Sequence, residues 1–167
     1  MDRAEMVRIF SPALAPVLDP DEIPEQVVDN QTRFTLQNIG VPTSVGDAVV
    51  TNLYGLMPLG EFLGGMQLPA WARSKNVLLL GLILDGFLCL NGNDGAVLML
   101  TRELEEDPVE VASSLHVFVS ILVGVSEAAH WTANPPDLDV TALIEQIDPR
   151  SLGASALWER VFENLVG

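Results

Sequence analysis

The sequence predicts a single α+β domain in which helices, mainly from the C-terminal third, flank a central antiparallel sheet. A mixed sheet is the alternative. Three apolar runs separated by tight turns stand between residues 77 and 100, and such a pattern is typical of a three-strand meander. Apolar residues recur at helical spacing after residue 113. The 167 residues fit one domain, with a helix and a Pro-containing lead-in over residues 1–30 and a core over residues 31–165.

Two short helices joined by irregular chain are predicted at the N-terminus. Residues 2–10 form the first helix, because their apolar side chains recur at helical spacing. Four prolines between residues 11 and 30 predict a mostly irregular segment, with a one-turn helix beginning at Pro20. The second helix covers Gln31–Ile39 and ends at Gly40.

The middle of the chain is predicted to be rich in β-structure. Leu53–Leu59 and Phe62–Leu68 are short apolar segments divided by glycine and proline. Val77–Leu84 is a nearly continuous apolar run. This favours a strand buried on both faces, because the alternation of polar and apolar side chains is missing.

Two turns connect this run to the next strands. Asp85-Gly86 is typical of a tight hairpin turn, and Phe87–Leu90 forms the second strand. Asn91–Gly95 favours a loop, since Asn and Gly adopt positive φ readily, and Ala96–Leu100 forms the third strand. The loop has some features of a calcium-binding loop, but Arg102 stands where such a loop needs a glutamate, so we interpret it as a hairpin loop.

Three helices are predicted after the sheet. The first reaches His130 or Trp131, and the last covers about Ser155–Val166. Ser113 or Ser114 caps the first helix, and Pro135-Pro136 breaks the chain after it. Asp139 caps the second helix, which Asp148-Pro149 ends.

Acidic side chains outnumber basic ones in every part of the chain. There are 23 Asp and Glu against 8 Lys and Arg, which gives a formal net charge of −15. Residues 1–60, 61–120 and 121–167 each carry −5, so the charge is not confined to a tail. Repulsion of phosphates excludes direct nucleic-acid binding through a basic surface, and an apolar content of 49% excludes intrinsic disorder. Solubility and attraction to a basic partner both explain such a surface.

Membrane and secretion signals are missing from the sequence. The first ten residues mix acidic and basic side chains and contain no apolar run of the signal-peptide kind. The longest apolar run, Val77–Leu84, is far shorter than the roughly 20 residues that span a bilayer. We therefore expect a soluble, cytoplasmic protein that makes no membrane contact and whose single cysteine is reduced.

The residue types that carry most catalysis are scarce. Of the two histidines, His116 lies off the apolar stripe of its helix, and His130 suits a C-terminal cap. Cys89 lies between two leucines in a strand and is expected to be a buried, unreactive thiol. The sequence has no phosphate-binding loop, no Cys-based zinc site and no hydrolase nucleophile motif. We therefore predict a protein that is not an enzyme and needs no cofactor or metal.

The densest acidic segment follows the predicted third strand. Five carboxylates within eight residues repel one another unless water or cations surround them. A solvated loop is one interpretation, a docking surface for lysine and arginine side chains is the second, and a catalytic pair of carboxylates is the third. The candidate partner-binding residues are Glu103, Glu105, Glu106, Asp107, Glu110 and Asp94.

Four motifs also stand in a characteristic order along the chain. They are Thr32-Arg33-Phe34 with Ile39-Gly40-Val41-Pro42; the hairpin from Leu80-Gly81 through Leu88-Cys89-Leu90 to Gly95-Ala96-Val97; Ala112-Ser113-Ser114-Leu115 with Phe118 and Leu122; and Ile147-Asp148-Pro149 with Trp158. In this order and spacing they resemble the SUKH superfamily of bacterial immunity proteins, most closely its fourth group. Ala112 stands where the family often has an asparagine.

The resemblance covers most of the chain and implies a single α+β domain that binds and neutralises a polymorphic toxin without catalysis. Such toxins are often nucleases or nucleic-acid deaminases, which tend to be basic. The superfamily also includes regulatory members. A regulatory interaction module without a toxin partner is therefore the alternative, and a small-molecule enzyme built on the acidic segment is a third hypothesis.

Overall fold

One antiparallel sheet runs through the middle of the protein. In the computed structural model, which describes residues 1–104, 107–130 and 139–167, seven strands pair in the order β1-β2-β4-β5-β6-β7, and β3 pairs with the first half of β4. The strands are β1 (Ser44–Val45), β2 (Val49–Thr51), β3 (Met57–Pro58), β4 (Val77–Ile83), β5 (Gly86–Asn91), β6 (Val97–Leu100) and β7 (Val109–Ala112). Every pairing among them is antiparallel, which confirms the predicted sheet and not its mixed alternative.

Helices precede and follow the sheet, which confirms the α+β class. They are α1 (Arg3–Ile9), α2 (Asn30–Phe34, continued by the π-helical turn Thr35–Ile39), α3 (Leu59–Phe62), α4 (Leu115–His130), α5 (Val140–Ile147) and α6 (Ser155–Val166). The 3₁₀ turns are Pro20–Glu22, Leu53–Gly55, Trp71–Arg73 and Pro149–Ala154. None of the helices in the described ranges is long and apolar enough to cross a membrane.

Most predicted helix boundaries are confirmed. Gly40 ends the second helix at a φ of 89°, in the left-handed region that favours glycine. Ser114, not Ser113, caps α4, because its Oγ accepts a hydrogen bond from the Val117 backbone N–H at 3.2 Å. Trp131 and the predicted break at Pro135-Pro136 lie outside the described residues.

The first turn of the meander lies one residue earlier than predicted. Ile83 pairs with Gly86, so the two turn residues are Leu84 and Asp85, and Gly86 belongs to β5. Strand pairing sets the shift, because Gly86 pairs with Ile83 and so continues β5. Glycine suits this position, since a Cβ there would come within 2.6 Å of the Met99 side chain, and Leu84 takes the left-handed conformation with φ 49°.

Several short elements differ from the prediction. The segments Leu53–Leu59 and Phe62–Leu68 were expected to be mainly β, but they contain a 3₁₀ turn, the two-residue strand β3 and the helix α3. The third meander strand begins at Val97 instead of Ala96. The strand β7 was not predicted, because Val109–Ala112 is short and follows a charged segment.

The main core lies between the sheet and the helices α1, α2 and α4–α6. Its largest buried side chains include Phe118 and Trp158, whose ring centroids are 5.7 Å apart. A bulge at Leu80-Gly81 turns two successive residues of β4 towards this core. Gly81 is required there, because an added Cβ would come within 2.8 Å of the Thr51 Cα on β2.

The opposite side of the sheet is only partly covered. A smaller apolar cluster there includes Val77, Cys89 and Leu100, and α3 with the 3₁₀ turn Trp71–Arg73 lies over it. Leu82 on the same side is 48% exposed, so β4 is not buried on both faces along its whole length as predicted. We call the side formed by Val50, Met57, Leu79, Leu82 and Phe87 the open face.

Candidate partner-binding surface

The first and fourth carboxylates of the acidic segment, Glu103 and Asp107, lie between β6 and β7 at one end of the sheet. Glu103 and Asp107 are exposed, whereas Glu105 and Glu106 lie outside the described residues. In the same loop, the Nε of Arg102 donates a hydrogen bond to the Asp85 carbonyl oxygen at 2.9 Å. This bond joins the loop to the Leu84–Asp85 turn.

A third turn lies at this end of the sheet. The Leu84 backbone N–H donates to the Ala48 carbonyl oxygen at 2.6 Å, which brings the turn of residues 46–48 beside the Leu84–Asp85 turn. We call these two turns and the described loop residues 101–104, 107 and 108 the acidic end. Asp47 and Asp85 were not among the predicted site residues. Their positions in turns between antiparallel strands could have indicated that they lie at the same end as the acidic segment, because alternate turns fall at the same end of such a sheet.

Two arginines flank Asp85 at the acidic end. The Nη2 of Arg102 lies 3.1 Å from Asp85 Oδ1, and the Nη2 of Arg160 on α6 lies 3.8 Å from Oδ2. All three side chains are more than half exposed, so water and salt screen these pairs strongly. The carboxylates of Glu103 and Asp47 make no ion pair within the described part of the chain.

The remaining two predicted residues lie apart from this loop. Glu110 is in β7, where its Oε1 is 3.8 Å from the Nη2 of Arg150. Asp94 lies before β6, so the whole strand separates it from Glu103, about 14 Å at 3.4 Å per residue over four residues. The structure therefore does not bring Asp94 into one cluster with Glu103 and Asp107.

A cavity of about 380 Å³ opens at the acidic end, on the helix side of the sheet. Its apolar wall includes Leu84, Met99 and Leu157, and its polar lining includes Arg102 and Arg160. The Oγ1 of Thr101, which also lines it, is buried and has no hydrogen-bond partner among the described residues. A space of this size and lining admits a side chain or a small polar group of a partner.

The outer edge of β7 is fixed by the segment that leads into α6. Buried Asp148 accepts hydrogen bonds from the Ser113 N–H at 3.2 Å and from the Ser151 hydroxyl at 2.5 Å. Burial opposes ionisation of this carboxylate, but these bonds outweigh it and lower the pKa of Asp148 below its usual value. In addition, Trp158 Nε1 donates to the Val111 carbonyl oxygen at 3.1 Å. The edge strand that follows the acidic loop is thus held in place.

Comparison with known families assigns the chain. A family model described as SUKH-4 immunity protein matches residues 1–164. The chain belongs to the SUKH-4 family. Searches of curated protein sequences and of solved structures gave no match. The match also covers the N-terminal lead-in, which extends the predicted resemblance by about thirty residues.

The motifs that suggested SUKH-4 have structural roles. Gly40 lies where a Cβ would come within 2.6 Å of the Pro16 carbonyl oxygen, so this position needs glycine for close packing as well as for its positive φ. Ala112, at the position of the common asparagine, is fully buried at the end of β7. The Ser113 backbone N–H donates a hydrogen bond to Asp148. The motif that begins at Ala112 is thereby joined to the C-terminal motif Ile147-Asp148-Pro149.

The one cysteine and the two histidines of this SUKH-4 protein lie outside the acidic end. Cys89 is fully buried as predicted, and burial raises the pKa of its thiol to about 12. His116, predicted to lie off the apolar stripe of its helix, is half-buried, and burial lowers its pKa. His130 ends α4, with Nδ1 2.8 Å from the Ser126 carbonyl oxygen. The described ranges contain no cluster of three or more His, Cys, Asp or Glu placed to hold a metal ion.

Proposed function

We propose that this SUKH-4 protein neutralises a bacterial polymorphic toxin by direct, non-catalytic protein contact in the cytoplasm. Membership of an immunity protein family supports a toxin as the partner. The buried, protonated thiol of Cys89 and the scattered histidines support binding rather than chemistry.

A basic toxin, such as a nuclease or a nucleic-acid deaminase, fits the charge of this chain best. The single observation that carries this choice is the acidic end. There the sequence places four carboxylates in five residues, Glu103 to Asp107, and the fold adds Asp47, whereas Asp85 is paired with Arg102 and Arg160. Such a surface attracts a cationic protein over distances of about 10 Å at 0.1 M salt, which speeds association.

The contact residues proposed from the sequence remain part of this proposal. Glu103, Glu105, Glu106 and Asp107 form its centre, and Glu110 continues it along β7. Asp94 at the opposite end of β6 belongs to the edge of the contact. An interface of ordinary size covers about 800 Å² on each partner, which is wide enough to reach both ends of a four-residue strand.

The direct test begins with the genes beside the gene for this chain and uses a toxin domain encoded there. Co-expression in a host cell should restore growth that the toxin alone abolishes, and the two purified proteins should elute together from a sizing column. Continued killing, or separate elution at micromolar concentrations, would exclude the proposal. A stable complex with a neighbouring protein that is not toxic would favour the regulatory alternative.

A further inference from the structure

We propose that the open face of the sheet, beside the acidic end, is the surface on which the basic partner docks. This inference rests on the proposed function and names the apolar part of the contact. Val50 pairs directly with Leu82, and Leu82 pairs with Phe87, so the three side chains form one row across β2, β4 and β5. Val50 is 46% exposed and Leu82 is 48% exposed.

Further apolar side chains extend this row into a patch. Met57 pairs with Leu79 in the adjacent row, and the ring of Phe62 meets the edge of Phe87 at a centroid distance of 6.5 Å. In the described part of the chain, Val50, Met57, Phe62 and Leu82 are four of the eleven exposed large apolar side chains.

The composition of the patch is that of an interface core. Aromatic residues and methionine are enriched where proteins bind one another, and contiguous exposed apolar patches on a folded domain commonly mark such sites. The other side of the same sheet shows the contrast, since Leu80, Leu88 and Val97 are completely buried there in the main core. Covering only one side of the sheet leaves the open face available to a second protein.

The charge around the open face indicates which kind of protein binds there. Leu82 stands three residues before Asp85, and Val50 stands three residues after Asp47, so the apolar row crosses the strands next to these two turns of the acidic end. Exposed Glu61 on α3 adds a carboxylate beside Phe62. A second copy of this chain would bring its own net charge of −15 to this rim and would be repelled. A cationic protein places positive side chains at the acidic end and apolar side chains on Val50 and Leu82.

The two parts of the surface should control different rate constants. Exposed carboxylates act at long range and set the association rate, whereas desolvated apolar contacts set the dissociation rate. A variant that loses apolar surface but keeps its charge therefore distinguishes the contribution of the open face from that of the acidic end.

The test compares two double variants of the same composition. Val50→Thr with Leu82→Thr removes apolar surface from the open face and keeps β-compatible residues there. Val28→Thr with Leu14→Thr is the control, because these side chains are 59% and 47% exposed in the N-terminal lead-in. The probe is the catalytically inactivated toxin domain encoded by the neighbouring gene. Its association and dissociation rates are measured at low and high salt, and thermal unfolding of each variant verifies folding.

We expect the open-face variant to dissociate at least about tenfold faster at both salt concentrations, with an unchanged association rate, and the control to match the wild type. Unchanged dissociation of a folded open-face variant would overturn this inference and leave the proposed function standing. Failure of the wild type to bind the toxin domain would overturn both. If the open-face changes instead abolish self-association of the chain in sedimentation experiments, a second copy is the occupant and the inference is wrong.

Discussion

Single residues show how this fold handles buried polar groups. Asp148 is 7% exposed and is the one carboxylate in the described ranges that is buried. Its hydrogen bonds to Ser113 and Ser151 replace water, so the ionised form is retained between β7 and α6. Cys89 is treated in the opposite way, since burial without a cationic neighbour keeps its thiol protonated.

Replacing Asp148 with Asn should destabilise the protein by about 1–3 kcal/mol at neutral pH, because the amide cannot accept all the hydrogen bonds of the carboxylate. The lowered pKa of Asp148 fixes the pH dependence. Its contribution is complete above the unfolded pKa near 3.9 and is lost as the pH falls through the folded value. Urea unfolding of both proteins between pH 3 and pH 7 measures the difference. Equal stabilities at pH 7 would contradict the role given to Asp148.

The Cys89 thiol should not react with iodoacetamide in the native protein. At pH 8, a pKa of about 12 leaves a thiolate fraction on the order of 10⁻⁴, and the side chain is fully buried. Mass spectrometry should therefore show alkylation only when the protein unfolds in denaturant. Stoichiometric labelling of the folded protein within minutes would show that β5 opens far more readily than its packing implies.

At the scale of elements, the strongest sequence patterns predicted the structure best. The apolar run from Val77 and the helical stripe after Ser114 are long enough to define β4 and α4. The strands β1, β2, β3 and β7 contain two to four residues each, and pairing with a neighbour stabilises them more than their own composition does. The turn falls at Leu84–Asp85 because pairing of Gly86 with Ile83 overrides the local turn preference of Asp85-Gly86.

The strand β4 offers a matched pair of substitutions. Leu80→Ala should cost about 2–5 kcal/mol of unfolding free energy, because the side chain is fully buried in the main core. Leu82→Ala, two residues away, should change it by about 0.5 kcal/mol, because half of the side chain is exposed. Denaturant titration with an unchanged m-value tests both. Similar costs at the two positions would contradict the assignment of main core and open face.

At the scale of the molecule, the sequence predicted the acidic loop but not the surface around it. Glu103 and Asp107 follow the third meander strand as expected, whereas the presence of Asp47 and Asp85 at the same end of the sheet depends on strand order and could not be predicted from local patterns. The same applies to the open face, because Val50 and Leu82 are more than thirty residues apart in sequence and meet only through pairing of β2 with β4. Asp94 was grouped with the loop by its charge, and the length of β6 separates it.

Neutralising Glu103, Glu105, Glu106 and Asp107 as their amides should slow toxin association about tenfold or more at low salt, because the steering field is lost. The difference should shrink as salt is added. A matched control neutralises Asp21, Glu22, Glu25 and Glu145, which changes the net charge equally on the lead-in and α5. Stopped-flow association of both variants separates the local effect from the global one, and equal rates would remove the loop from the contact.

The central claim is that this SUKH-4 protein blocks a toxin by binding it. Titration of the purified neighbouring toxin with this protein, while its activity on its nucleic-acid or other substrate is measured, tests that claim most directly. Toxin activity should fall in proportion to the amount of this SUKH-4 protein added and reach zero near equimolar amounts. The SUKH-4 protein should form no reaction product of its own. Full toxin activity in the presence of a large excess of folded protein would contradict the account.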